Sequence, residues 1–167
     1  MRSKSPAGKT KAPEQPRGAA WAAVLRLLSR RDYSLGELRQ RLLAKGFAED
    51  AVAEAVSRGV ELGYLDDARL IERVSQALLE QGRAAGPRLA MELRRRGFPR
   101  ELVDTALATL SAAGGEELSL RELIARRFAR FDFASADERE RRRVVTFLQR
   151  RGFSLDRILN ELKRTEP

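Results

Sequence analysis

The chain has 167 residues and a formal net charge of +9, and it contains neither cysteine nor histidine. Without cysteine there can be no disulfide, thiolate nucleophile or cysteine-ligated metal site. Without histidine the commonest neutral-pH general base and metal ligand is missing. Catalysis is therefore disfavoured but not forbidden, because carboxylates can still bind Mg²⁺ or act as acid and base. We expect no cofactor.

The first 18 residues are predicted to form a disordered basic tail. They carry five basic residues, one acid and three prolines without any apolar run, which is unlike a secretory signal. No stretch of the sequence approaches the roughly 18 apolar residues of a membrane span. The absence of cysteine fits a reducing cytoplasm. We therefore expect a cytoplasmic protein without a membrane segment.

From residue 19 onward the apolar residues recur at helical spacing, whereas the alternation typical of strands is absent. The sequence therefore predicts an all-α fold. The predicted helices span 19–30, 35–45, 49–62, 67–81, 87–96, 99–112, 119–131, 136–151 and 155–165.

Local signals mark where these helices begin and end. Ser34 and Ser119 each precede a glutamate by three residues, which is the pattern of a capping box. Pro87 and Pro99 suit a first helical position, where a missing N–H costs nothing. Glycine tolerates the left-handed conformation that follows many helices. We expect this left-handed conformation, and a helix end, at Gly46, Gly63, Gly82, Gly97 and Gly152.

One pattern occurs three times, centred on Gly46, Gly97 and Gly152. Apolar residues stand eight and four positions before each glycine and six and ten positions after it. A basic residue precedes each glycine, and a phenylalanine follows it to fill the corner between two helices. These phenylalanines are Phe47, Phe98 and Phe153.

The repeat predicts a tandem array of three modules with three helices each. The predicted modules span 19–66, 67–115 and 116–167, and a looser connection is expected at 111–118. A unit of this size has a thin core, so neighbouring modules can share burial. We expect an elongated, curved array and a monomer.

The positive charge is unevenly distributed along the chain. Residues 19–66 hold seven basic and seven acidic residues, 67–115 hold eight and six, and 116–167 hold thirteen and ten. Positive surface of this kind suits DNA phosphates or a protein–DNA filament, although basic residues also favour helix C-termini for electrostatic reasons alone. On charge, the predicted contact residues are Arg88, Arg94, Arg95, Arg96, Arg142, Arg143, Arg150 and Arg151.

Two adjacent acids, Asp66 and Asp67, could indicate a metal site or an acid–base pair. We favour a structural interpretation, in which Gly63 ends a helix, Tyr64 and Leu65 pack at the connection, and Asp66 caps the next helix. Adjacent acids also do not share one helix face. A carboxylate-metal enzyme therefore remains only a minor alternative.

Several stretches of the chain resemble the RecX family of bacterial recombination regulators. The segment GYLDD-x-R followed by G-P-x-L-x-x-E-L is fairly specific, and the similarity covers residues 19–165. Leu70-Ile71 departs from the usual aromatic–alanine pair, and the basic tail is not part of the family pattern. The stretches that carry the resemblance are Ser34 to Phe47, Gly63 to Arg69, Gly86 to Gly97 and Phe147 to Phe153.

The resemblance implies a regulator rather than an enzyme. Such a protein would bind RecA and its nucleoprotein filament, block filament growth or promote disassembly, and damp ATP hydrolysis and strand exchange. It would lie in the helical groove of the filament, where single- or double-stranded DNA is also within reach. The alternative that the charge leaves open is an autonomous, non-specific DNA-binding module.

Overall fold

The computed structural model describes residues 18–164, so nearly all of the predicted tail lies outside the described residues. Within that range the chain forms nine α-helices and no strand, which confirms the predicted all-α fold. The helices are α1 (Ala19–Leu28), α2 (Leu35–Ala44), α3 (Glu49–Glu61), α4 (Asp67–Glu80), α5 (Gly86–Arg95), α6 (Arg100–Ala112), α7 (Gly115–Arg127), α8 (Glu138–Gln149) and α9 (Leu155–Arg164).

The threefold sequence repeat supplies the core of the protein. The residue eight positions before each repeat glycine is at most 1% exposed, and the residues four before and six after are 0% exposed. The nine residues at these three repeat positions are Leu38, Leu89, Val144, Leu42, Leu93, Leu148, Val52, Val103 and Ile158. Phe98 and Phe153 are buried, as the repeat predicted, whereas Phe47 is only partly buried against its cluster.

We refer to α1–α3, α4–α6 and α7–α9 as the first, second and third modules. Helices of one module pack on one another, and three hydrophobic clusters fill the described part of the chain. The first cluster contains residues of the first module only, and the second contains residues of the second module only. The residue limits of the modules and the elongated shape stay predictions.

The helix α7 begins four residues before its predicted start. We expected Ser119 to cap this helix, which is wrong, because Ser119 lies within α7 and is buried. Its Oγ donates a hydrogen bond to the carbonyl of Leu79 in α4. The helix instead follows Gly114, whose φ is +66°. Only Ala113 and Gly114 separate α6 from α7, so the expected loose connection is also wrong.

The other sequence signals for helix ends are confirmed in most respects. Oγ of Ser34 accepts the Glu37 N–H at 3.1 Å, although the Glu37 carboxylate turns to Arg31 and Arg41 and does not close the capping box. All five glycines predicted to end helices have positive φ. Pro99 is the residue before α6, whereas Pro87 lies within the first turn of α5.

Candidate binding surface

The basic helices α2, α5 and α8 meet end to end through two similar joints. At the first joint, the end of α5 meets the start of α2. Oγ of Ser34 donates a hydrogen bond to the carbonyl of Arg96, and the backbone of Gly36 lies against that of Gly97. The N–H of Leu35 also donates to Asp67 Oδ1 at 2.9 Å.

The second joint places the end of α8 against the start of α5. The N–H of Ala85 donates to the carbonyl of Arg151 at 2.7 Å, and Gly152 lies directly against Ala85. The N–H of Gly86 donates to Glu116 Oε1 at 3.2 Å. In the sequence repeat, Ala85 corresponds to Ser34 and Arg151 to Arg96, so the same joint is built twice.

The joints place some of the predicted contact residues at the starts of other helices, which sequence reasoning could not do. At each joint the negative end of one helix dipole meets the positive start of another helix. Basic residues stand in the last turn of α5, whereas at α8 they follow the helix as Arg150 and Arg151. Arg150 and Arg151 consequently lie at the start of α5, near Arg88, whose Cβ adjoins Gly152. Arg96 lies at the start of α2.

In the second module an acid neutralises part of this charge. Glu92 pairs with Arg88 at 3.1 Å and with Arg95 at 2.6 Å, and its side chain is only 15% exposed. Sequence reasoning missed this residue, although the i, i+4 spacing from Arg88 could have indicated it. Arg94 and Arg96 are exposed, and within residues 18–164 their guanidinium groups have no acidic partner.

The third module lacks a corresponding acid. Arg143 and Arg150 occupy the repeat positions of Arg88 and Arg95, seven residues apart on one helix face. The position of Glu92 is taken by Phe147. Both arginines are exposed and have no acidic partner within the described part of the chain, whereas Arg142 pairs with Glu138 at 2.7 Å. Arg143 on α8 and Arg150 directly after it therefore carry uncompensated charge within the described residues, as does Arg139 near the start of the helix.

Arg151, one of the predicted contact residues, packs against a phenylalanine of the third module. Its guanidinium carbon lies 3.5 Å from the centre of the Phe147 ring, and Nη1 donates to the Phe147 carbonyl at 3.3 Å. Burial, followed by the nearby charge of Arg127, lowers the pKa of Arg151. Phe147 also packs edge-on against Phe128, with ring centres 5.1 Å apart. Substitution of Arg151 would thus disturb packing as well as charge.

Both acids between α3 and α4 are engaged with backbone amides. Asp66 accepts the N–H of Arg69 at 3.0 Å and caps α4, as predicted, while Asp67 accepts the N–H of Leu35. Leu65 is 3% exposed and packs as expected. Tyr64, in contrast, is exposed and lies beside Trp21, with ring centres 6.1 Å apart and ring planes tilted by 53°.

The described residues offer no set of three or more acids that could hold a metal ion. None of the described helices is long and apolar enough to cross a membrane.

Comparison with known proteins decides the family. A profile described as the first three-helix domain of RecX matches residues 20–58, and one described as the third matches 116–160. A regulatory protein RecX from Trichlorobacter lovleyi is 47% identical over 138 residues, which cover 83% of this chain and 90% of that protein. The chain belongs to the RecX family. A RecX from Syntrophotalea carbinolica is 42% identical over 83% of this chain and 91% of its own length.

The fold is also shared with a solved RecX structure. The crystal structure of RecX from Lactobacillus salivarius superimposes with a TM-score of 0.68 over 87% of this chain and 95% of that one. The identity is 18%, so this likeness concerns the fold. The family profiles and the sequence relatives confirm the resemblance carried by the GYLDD and G-P-x-L segments as RecX membership.

Proposed function

We propose that this protein binds RecA and the RecA–DNA filament and inhibits recombinase activity, including filament extension, ATP hydrolysis and strand exchange. Membership of the RecX family of regulatory proteins carries the proposal. The protein would act in the cytoplasm, by docking and without catalysis of its own.

The arrangement of the basic helices supports this proposal physically. Because α8, α5 and α2 meet through the two joints, their arginines belong to helices that contact one another in series from module to module. A series of charged helices suits a partner that itself repeats along a filament axis. Electrostatic attraction of this kind chiefly raises the association rate and fixes orientation.

The direct test measures the DNA-dependent ATPase activity of RecA. We expect substoichiometric amounts of this protein to lower the rate, because one bound molecule would affect more than one RecA protomer. An unchanged rate at every ratio would refute the proposal.

The predicted contact surface is tested by a double charge reversal, Arg143→Glu with Arg150→Glu. Both side chains are exposed and without acidic partners in the described structure, so their reversal should weaken inhibition without unfolding α8. Arg26→Glu with Arg30→Glu makes the same change in charge on exposed residues of the first module. Equal losses of inhibition from both double variants would show that only net charge matters.

Autonomous DNA binding remains a second candidate, favoured by Arg94, Arg143 and Arg150, which are exposed and have no acidic partner among residues 18–164. It predicts binding to duplex or single-stranded DNA without RecA, with an affinity that falls steeply as salt rises. The variant in which Arg94, Arg95 and Arg96 are all changed to glutamate separates the two candidates. Lost DNA binding with retained RecA inhibition would make the DNA contact secondary.

A further inference from the structure

A cleft of about 280 Å³ lies at the first joint, away from the exposed arginines of α8. Part of its lining is apolar and comes from the second module. Leu70, Val74 and Ala77 follow one face of α4 at i, i+4 and i+7 and are half-buried. Phe98, which is 5% exposed, completes this apolar lining.

Two ion pairs lie at the edge of the cleft, and the first belongs to the first module. Arg31 pairs with Glu37 and also stacks on the Tyr33 ring, 3.8 Å from its centre. Burial alone would raise the pKa of Glu37, but hydrogen bonds from Arg31 and Arg41 outweigh it and leave that pKa below its ordinary value. These charges are therefore already satisfied within the protein.

The second ion pair bridges the two modules. Arg73 of α4 reaches Asp32, which precedes α2, and the two side chains are 63% and 61% exposed. Because both groups are well solvated, this pair contributes little to stability. It can open or shift when a partner binds.

Arg96 is the lining cation that lacks an acidic partner within residues 18–164. Its carbonyl is held by Ser34, so the backbone from which its side chain extends is fixed at the joint. The charged lining groups are three arginines and two carboxylates, which leaves one positive charge uncompensated. An occupant that carries one carboxylate would neutralise it.

The size of the cleft restricts the occupant further. Pockets for drug-sized ligands usually span about 300–1,000 Å³, so this cleft suits one or two amino-acid side chains. The carboxylates of Asp32 and Glu37 would repel a polyphosphate, and the apolar α4 face would gain nothing from one. The lining thus favours a peptide over a nucleotide or a DNA backbone.

We propose that the cleft between the first and second modules binds a peptide segment of a partner protein in which an aliphatic or aromatic side chain stands next to a carboxylate. The apolar side chain packs on Leu70, Val74 and Phe98, and the carboxylate pairs with Arg96. Since Arg31 and Asp32 of the first module also line the cleft, the bound segment contacts both modules. The site shares Arg96 with the predicted RecA-contact residues, whereas Arg143 and Arg150 do not line it. RecA inhibition, tested by reversal of Arg143 and Arg150, can therefore fail without loss of peptide binding, and the reverse.

The test uses amide chemical shifts of the isotopically labelled protein, titrated with N-acetyl-phenylalanyl-aspartyl-amide. We expect saturable shifts confined to the residues that line the cleft, with a dissociation constant of about 1 mM for so small a probe. The matched probe with asparagine in place of aspartate should bind about tenfold more weakly, because it loses a charge-assisted hydrogen bond.

Two variants assign the carboxylate contact. Arg96→Ala should weaken the aspartyl probe about tenfold and leave the asparaginyl probe unchanged. Arg69→Ala removes an exposed arginine from α4 that does not line the cleft, and it should leave both probes unchanged. The proposal is overturned if the probe causes no saturable shifts, if the shifts lie elsewhere, or if the two variants weaken binding equally.

Discussion

At the scale of single residues, the glycines that end α5 and α8 do more than terminate a helix. Gly97 and Gly152 have φ of +83° and +98°, values that side chains rarely permit. In addition, a Cβ on Gly97 would lie 2.6 Å from the amide nitrogen of Glu37, and one on Gly152 would overlap the carbonyl of Ala85. Backbone meets backbone at both joints because these side chains are absent.

Gly97→Ala should therefore destabilise the protein more than an ordinary left-handed glycine would. Gly63 is the matched control, since its φ is +72° and a Cβ there would meet no described atom within 4 Å. We expect Gly63→Ala to lower the free energy of unfolding by about 1 kcal/mol and Gly97→Ala by at least about 1 kcal/mol more. Urea denaturation followed by circular dichroism measures both, and equal losses would contradict close contact at the first joint.

At the scale of secondary-structure elements, Asp67 connects the start of α4 to the start of α2. It accepts the N–H of Leu35, one of the amides that α2 itself cannot satisfy. Burial raises the pKa of Asp67, the hydrogen bond from Leu35 opposes this, and the neighbouring charge of Asp66 adds to it. The net shift is upward from the ordinary value of 3.8.

This shift predicts how Asp67→Asn changes the dependence of stability on pH. A raised pKa means that the folded state binds the proton more tightly than the unfolded state. Stability therefore falls as the pH rises from 3.8 through the raised value and Asp67 ionises. Asparagine keeps an acceptor for Leu35 but cannot ionise, so the variant should gain stability relative to the original protein across this window.

Urea denaturation at a series of pH values measures that difference. Asp67→Ala is the control for the hydrogen bond, because it also cannot ionise but leaves the Leu35 amide without this acceptor. It should be about 1 kcal/mol less stable than Asp67→Asn at every pH. A constant difference between the original protein and Asp67→Asn across the pH series would show that the folded state does not raise this pKa.

The core of each module could be predicted from sequence, whereas the joints could not. Leu42, Leu93 and Leu148 are placed by helical periodicity, which is a local property of the chain. The contacts between modules include Ser34 with Arg96 at the first joint and Ser119 with Leu79 between α7 and α4, which each join a side chain to a distant backbone carbonyl. Such contacts leave no periodic trace, and Ser119 was misassigned as a cap for this reason.

The positions of the eight predicted contact arginines could be read from the sequence, but which of them form ion pairs could not. The clusters were visible as runs in the sequence, yet their pairing depends on which residue stands a turn away. Glu92 neutralises Arg88 and Arg95, while Phe147 holds Arg151. Which of the eight arginines actually contact RecA or DNA stays a prediction.

At the scale of the whole molecule, the two joints differ in whether the modules on either side share a buried apolar cluster. Leu79 and Ala85 of the second module belong to the same buried cluster as Leu120 and Leu123 of the third. The clusters of the first and second modules share no residue. The first joint is thus held by hydrogen bonds, an exposed ion pair and close backbone contact, and the second by an apolar core as well.

We therefore expect the first module to move relative to the second more than the second moves relative to the third. The absence of cysteine lets spin labels be placed cleanly at Ala53→Cys with Ala108→Cys across the first joint, and at Ala108→Cys with Asn160→Cys across the second. All three positions are exposed. Pulsed electron paramagnetic resonance should give a broader distance distribution for the first pair, and equal widths would contradict the expectation.

The shared cluster at the second joint also bears on the order in which the chain folds during synthesis. The first module can bury its own core as soon as it leaves the ribosome, since that core uses no later residue. Leu79 and Ala85 are made well before Ile158 and Leu162, which belong to the same cluster. The second module therefore keeps an apolar surface open until the third module has been made, and that surface is where a nascent-chain chaperone would bind.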